Sequence, residues 1–185
     1  MKVLIAGDSF GADWSIKYKS AEGWPNLISN NHLVTNLAQA GVGEYKILKQ
    51  IQSVNLQSFD QIIVCHTSPY RIHTVKHPDH FQDILHHNSD IVINDLYHQP
   101  QKPENQCLKD FIKYHYDIEY FESIHMMLAE RIRAKTPKAI HISIFDLQIA
   151  DIKCFNDLCV PNQIPNHMTA ENNQKVAEYL MNLIG

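Results

Sequence analysis

Positive charge is thin in this chain of 185 residues, and nowhere does it gather into a block. Lys and Arg number 16 against 20 Asp and Glu, a formal net charge of −4. Nucleic-acid binding draws on clustered Lys and Arg that neutralise phosphates, so no nucleic-acid partner is expected. No apolar run approaches the about 20 residues that span a bilayer, so no membrane partner is expected either. The apolar stretch ahead of Asp8 is too short for a secretory leader, which makes a cytoplasmic location the expectation. Cysteine is sparse and scattered, at Cys65, Cys107, Cys154 and Cys159, with no C-x-x-C pair. That spacing argues against a disulfide framework or a zinc site and favours buried free thiols. Internal repeats are absent.

What the chain does have is enough apolar content, 44% of residues, for a real core in one domain over 1–185. Four segments read as strands, at 2–6, 33–37, 61–66 and 139–145, from short apolar runs rich in β-branched residues. Helical spacing fills the gaps. A short helix over 24–30 has Pro25 near its start. A second over 44–54 carries Ile47, Leu48 and Ile51. A long region over 104–135, broken once, places Phe111, Ile112, Tyr116, Phe121, Ile124, Leu128 and Ile132 on a stripe. The last, over 170–184, turns Val176, Ala177, Leu180 and Leu183 inward. Alternating strands and helices predict an α/β fold, a three-layer sandwich around a mainly parallel sheet. Residues 73–103 break the alternation. They are polar, rich in His and interrupted by Pro78, Pro100 and Pro103, with one apolar piece at 91–93. They read as an insertion or lid loop after the third strand.

In a parallel sheet the carboxyl ends of all strands share one rim, where open α/β folds hold ligands. Three strand ends here carry chemistry. The first is Gly7-Asp8-Ser9, where Ser9 is either a nucleophile or a helix cap. The second is the loop 38–43, with Gly41 and Gly43, whose N–H groups could face an anion. The third is His66-Thr67-Ser68-Pro69-Tyr70-Arg71, either ordinary turn chemistry or polar recognition. Arg71 is a candidate clamp for a substrate carboxylate or phosphate, or a surface Arg paired with an acid of the insertion. His167 precedes the last helix, which Thr169 or Asn166 could cap, and from there it could reach Ser9. His73, His77, Asp79 and His80 lie close together, with His86 and His87 beyond. Pro78 interrupts any helix that would align them, and neither a metal site nor a cofactor is expected.

As an ordered set these residues resemble the SGNH/GDSL hydrolase family over nearly the whole chain. Gly7-Asp8-Ser9-Phe10 is similar to the family's first block, with the nucleophilic Ser. Residues 36–41, Asn-Leu-Ala-Gln-Ala-Gly, resemble the second, whose Gly donates to the oxyanion. Asn166-His167-Met168-Thr169 resembles the last, with the catalytic His. The resemblance implies an SGNH/flavodoxin-like sandwich, Ser9 and His167 as catalytic residues, and Gly41 as an oxyanion donor. It departs at two places. Ser68 stands where the family's third block has an Asn donor, and Ile164 stands three before His167, where its acid is expected. Asn162, Asp157 or a main-chain carbonyl would then orient His167, with Asn162 or the main chain favoured.

The expected function is therefore a carboxyl-ester hydrolase acting on a small-molecule or carbohydrate ester, such as an acylated sugar. An acyltransferase on the same site is the alternative, with the insertion excluding water. So is a binding module that kept the fold and lost catalysis.

Overall fold

Alternation of side chains along the first strand decides the layering. The computed structural model describes residues 1–19, 22–77, 79–93, 106–145, 147–152, 154–160 and 166–185. Its main sheet holds β1 (Lys2–Gly7), β2 (Leu33–Asn36), β3 (Gln61–His66) and β6 (Ile140–Ser143), in the order β2-β1-β3-β6 with every pair parallel. The helices described are α1 (Trp24–Ser29), α2 (Glu44–Gln52), α3 (Gln106–His115), α4 (Ile118–Lys135) and α5 (Ala170–Ile184). Val3, Ile5, Ile63, Cys65 and Ile142 face one way and pack against Trp24 and Ile28 of α1 and Val176, Ala177 and Leu180 of α5. Ala6 and Val64 face the other way, onto Ile47, Leu48 and Ile51 of α2 and Ile132 of α4. The sheet is thus flanked by helices on both faces. That explains why Val3-Leu4-Ile5-Ala6 is continuously apolar, with all four side chains fully buried. Each such Val, Leu or Ile contributes roughly 1.5–3 kcal/mol of burial.

The expected strands and helices are found with ends shifted by a residue or two. The long helical region breaks at residues 116–117, where the Asp117 side chain accepts from the Glu119 N–H (3.0 Å) and starts α4. Two expected core positions are corrected. Phe111 is 37% exposed and Leu183 50% exposed: Ile112 rather than Phe111 packs on Ile91 and Ile93, and Leu180 rather than Leu183 joins the core on the main sheet. A cysteine is corrected too: Cys65 is buried, but Cys107 is exposed near the start of α3. No helix among the described residues is long and apolar enough to cross a membrane.

The insertion begins two residues earlier than expected. Arg71–Ile72 (β4) pairs antiparallel with Ile91–Val92 (β5), and Ile91 and Ile93 pack on Ile112 of α3. Between the two strands, Leu85 packs on Ala12, Trp14 and Ala40, and Asp83 pairs with Lys17. The described part of the insertion therefore lies against the loops that follow β1 and β2. The remaining expected insertion residues, 94–103, lie outside the described residues, as does Pro78.

Candidate active site

Ser9 leaves β1 two residues after Gly7, in a tight turn closed by the Gly11 N–H donating to the Asp8 carbonyl (3.1 Å). The Phe10 N–H donates to Asp8 Oδ1 (3.0 Å), and the Trp14 indole N–H donates to the Ser9 carbonyl (2.9 Å). These bonds hold the Ser9 backbone, and they show that Ser9 does not cap a helix; Asp13 caps the 3-10 turn that follows. The other half of the site comes from just ahead of α5. Asn166 and His167 both have left-handed backbones, φ 55 and 62. Such conformations cost an L residue roughly 1–2 kcal/mol and gather where a side chain must be aimed. Asn166 is fully buried and donates from Nδ2 to the carbonyls of Phe10 and Ala12, tying this turn to the Ser9 loop. The Val160 N–H donates to the His167 carbonyl (2.7 Å). Thr169, the expected alternative to Asn166, caps α5 by accepting from the Asn172 N–H (3.2 Å). The outcome is that His167 Nε2 lies 2.9 Å from Ser9 Oγ.

The oxyanion candidates share the same rim. Gly41 has φ +80, and a Cβ there would stand 2.5 Å from Ser89 Cβ, so both backbone and space demand glycine. Its carbonyl accepts from the Asp90 N–H (2.9 Å), while its N–H has no partner among the described residues. The Ser9 N–H and the Ser68 hydroxyl are likewise without a partner among the described residues, and Ser68 is buried. The other N–H group expected to face an anion has one already: Gly43 donates to Asp90 Oδ2 (2.7 Å). The anion at the start of α2 is the insertion's own carboxylate.

Arg71 is neither a surface residue nor paired with the insertion. Its Nε donates to Thr67 Oγ1 (2.7 Å), and a terminal nitrogen lies 3.5 Å from Asp8 Oδ2. The Thr67 side chain also favours the ionised form of Asp8. Asp8 is fully buried, and burial raises its carboxyl above the ordinary value despite the opposing charge of Arg71. Burial likewise lowers the His167 imidazole below its ordinary 6.5, against the pull of Asp8 and with help from Arg71 and His86. A neutral His167 can accept a proton near neutral pH. The edge of Trp14 meets the His167 ring at 6.1 Å and 81°, and Trp14 meets His86 of the insertion at 6.0 Å.

Of the groups considered for orienting His167, Asn162 lies outside the described residues, and so does Ile164. Asp157 is exposed on a 3-10 turn (Cys154–Leu158). No carboxylate hydrogen-bonds His167 among the described residues. Asp8, Thr67 and Trp14 all shape this site and were not singled out from sequence, and Asn166, read there as a helix cap, instead ties the His167 turn to the Ser9 loop. Asp8 had a readable signal, since it adjoins the nucleophile; the others act through contacts that span distant parts of the chain.

A second polar cluster lies deeper. His66, the last residue of β3, meets Glu44 of α2 through Nδ1 (3.2 Å) and His141 of β6 through Nε2 (2.9 Å). Glu44 Oε1 also accepts from the Thr67 N–H (2.9 Å). Burial alone would raise Glu44, but His66 and these hydrogen bonds outweigh it and hold the carboxyl below its ordinary value. Burial lowers His141 to about 4. Among the described residues no cluster of His, Cys, Asp or Glu is arranged to hold a metal ion.

Compared with known proteins, the chain matches no family model, no curated protein sequence and no solved structure.

Proposed function

We propose that this protein is a serine hydrolase of the SGNH/GDSL type that cleaves carboxyl esters, such as acylated sugars or other small esters. The observation that carries the reading is the 2.9 Å contact between Ser9 Oγ and His167 Nε2. That distance lies within the range for proton transfer between a nucleophile and its base.

In this mechanism Ser9 Oγ bonds to the ester carbonyl carbon as its proton passes to His167 Nε2. The carbonyl oxygen becomes an oxyanion, which the Ser9 and Gly41 N–H groups stabilise, with Ser68 as a third donor. Collapse of the tetrahedral species breaks the carbon–oxygen bond to the alcohol, and His167 returns the proton to that alkoxide. Water then attacks the acyl-enzyme with His167 again as base, releasing the acid and restoring Ser9. No metal or cofactor enters.

The test is turnover of p-nitrophenyl acetate together with labelling by a fluorophosphonate. The expected result is Ser9-dependent release of p-nitrophenol and a label on the peptide containing Ser9. Release that persists in Ser9→Ala, or a label elsewhere, rejects the assignment. A second reading, acyl transfer to an alcohol, draws support from Leu85 packing over the loops after β1 and β2, where water would otherwise enter. Ester exchange outrunning hydrolysis when an alcohol is added would favour it.

A further inference from the structure

Between the start of α2, the loop after β3 and one face of α4 lies a cavity of about 540 Å³. Its walls are mainly apolar, with Tyr45, Pro69, Tyr120, Phe121, Ile124 and Leu128 among them. Arg71 and Ser68 line the same space. The Arg71 guanidinium also reaches Asp8 at 3.5 Å, so one side chain spans from the residue beside Ser9 to the cavity.

We propose that this cavity holds the acyl part of the ester, and that this part is a medium-length aliphatic chain rather than an acetyl group. The inference rests on the hydrolase reading and adds the substrate class to it. Its argument is one of unmet and met polar groups. A sugar in this space would present hydroxyl donors and need acceptors. Both carboxylates that border the cavity are taken. Asp90 already accepts from the Gly43 N–H (2.7 Å), Lys46 Nζ (2.7 Å) and the Thr74 N–H (2.9 Å). Glu44 accepts from Thr67 and faces His66. His125, 6% exposed and lowered by burial, adds no charge to the wall, and its Nε2, without a partner among the described residues, is one polar atom against mainly apolar walls. What the cavity offers is apolar contact. Its volume falls in the about 300–1,000 Å³ typical of sites for ligands far larger than acetyl. An ester with its carbonyl at Ser9 would run its acyl chain past Ser68 into this space and leave the polar alcohol on the side of solvent.

Each methylene buried there should raise kcat/KM by about threefold to fourfold. The experiment compares p-nitrophenyl octanoate with p-nitrophenyl acetate, and measures decanoate binding to the Ser9→Ala protein by calorimetry. Octanoate adds six methylenes, so the expected octanoate-to-acetate ratio of kcat/KM is on the order of 10³ if all are buried and about tenfold if only two are. Ile124→Trp, which narrows the cavity with a larger side chain, should lower the ratio and weaken decanoate binding, each by about tenfold or more. Urea denaturation checks that the variant folds; if it does not, Ile124→Lys serves, since a charge on the wall should have the same effect. Ser9-dependent turnover of acetate with no gain from the longer chain and no decanoate binding overturns the cavity assignment and leaves the hydrolase reading intact. Decanoate binding lost in Ile124→Trp, with no ester turned over, sustains the cavity and overturns the hydrolase reading.

Discussion

Replacing Asn166 with Ala should cost about 1.5–3.5 kcal/mol of stability and most of the ester activity, by a route visible in the structure. The Asn166 Nδ2 group donates to two carbonyls in the Ser9 loop. The Phe10 carbonyl keeps another donor, the Trp24 indole N–H at 2.8 Å, so its loss is small, about 0.5 kcal/mol. The Ala12 carbonyl has no second donor among the described residues, and leaving it unpaired costs about 1–3 kcal/mol. Ala at φ 55 adds about 1 kcal/mol, since Asn tolerates that region better than Ala. Against this, the buried Asn166 Oδ1 has no partner among the described residues, and removing it returns about 1 kcal/mol. The neighbouring residue is His167, so the same change loosens the aim of the imidazole. A displacement of about 1 Å from Ser9 would cost on the order of 10²-fold in rate. Gly23→Ala should act on the same joint from the other side. A Cβ there would stand 1.7 Å from Asn166 Oδ1 and push the amide off its carbonyls. The two changes should therefore be non-additive, the double variant being little worse than the poorer single one. Urea titration with linear extrapolation gives the stability, and p-nitrophenyl acetate turnover gives the rate. If Asn166→Ala loses under about 0.5 kcal/mol and keeps kcat/KM within about threefold, the joint does not position His167.

Ser9→Ala and His167→Ala should each abolish nearly all ester turnover, and the double variant should be no worse, because the pair acts as one unit; multiplicative losses would mean separate roles. Because burial lowers His167, kcat/KM should climb with pH through a midpoint below 6.5 and then level off, since only the neutral ring accepts the Ser9 proton; a midpoint at or above 7 would point to another base. Asp157→Asn should leave turnover within about tenfold, against the roughly 10⁴-fold loss expected of a triad acid, since Asp157 sits exposed on its 3-10 turn. Glu44→Ala should cost about 1–3 kcal/mol at pH 7 by leaving the Thr67 N–H and His66 Nδ1 without their buried partner. Glu44 is held below its ordinary 4.5, so the stability it contributes is full above that value and fades as pH falls through its lowered one. Urea midpoints of wild type and variant should converge in acid, and a constant gap would refute the charge on Glu44.

Much of the fold was legible because its signals are local. The runs at Val3–Ala6 and Ile63–Cys65 are buried on both faces and leave no alternation to misread. Helix spacing located α2 and α5, while Leu183 and Phe111 show its limit: periodicity names a stripe, and the stripe's edge is decided by what packs beside it. In the site, Ser9 and His167 were legible from their places at a strand end and before the last helix. Their partners were not. Arg71 meets Asp8 across 63 positions, and His66 meets His141 across 75 because β3 and β6 are neighbours in the sheet. The Gly43 N–H was readable as an anion site, but only the folded hairpin of the insertion shows that Asp90 fills it. Asn166 looked like a helix cap, since nothing in its spacing announces a left-handed backbone.

On the hydrolase reading, the neighbour acid absent from the sequence has a physical substitute within the site. A triad acid does two things: it selects the imidazole tautomer and it stabilises the imidazolium. The first does not require an acid here. When Ser9 donates to His167 Nε2 at 2.9 Å, Nε2 must be bare, so the proton sits on Nδ1, and the edge of Trp14 limits how the ring can turn. The second falls to Asp8. It is fully buried beside the nucleophile, and its charge is the one influence that raises His167 against burial, Arg71 and His86 together. Arg71 and Thr67 favour the ionised form of Asp8 while burial disfavours it, so the charge that would meet the imidazolium rests on that balance. A field acting without a hydrogen bond stabilises less than a carboxylate in contact, because the charge-assisted bond itself is lost. On the hydrolase reading, catalysis should therefore depend on Asp8 and Arg71 as a pair. The low imidazole pKa keeps the base free at neutral pH, and the modest stabilisation of its protonated form sets the limit on rate.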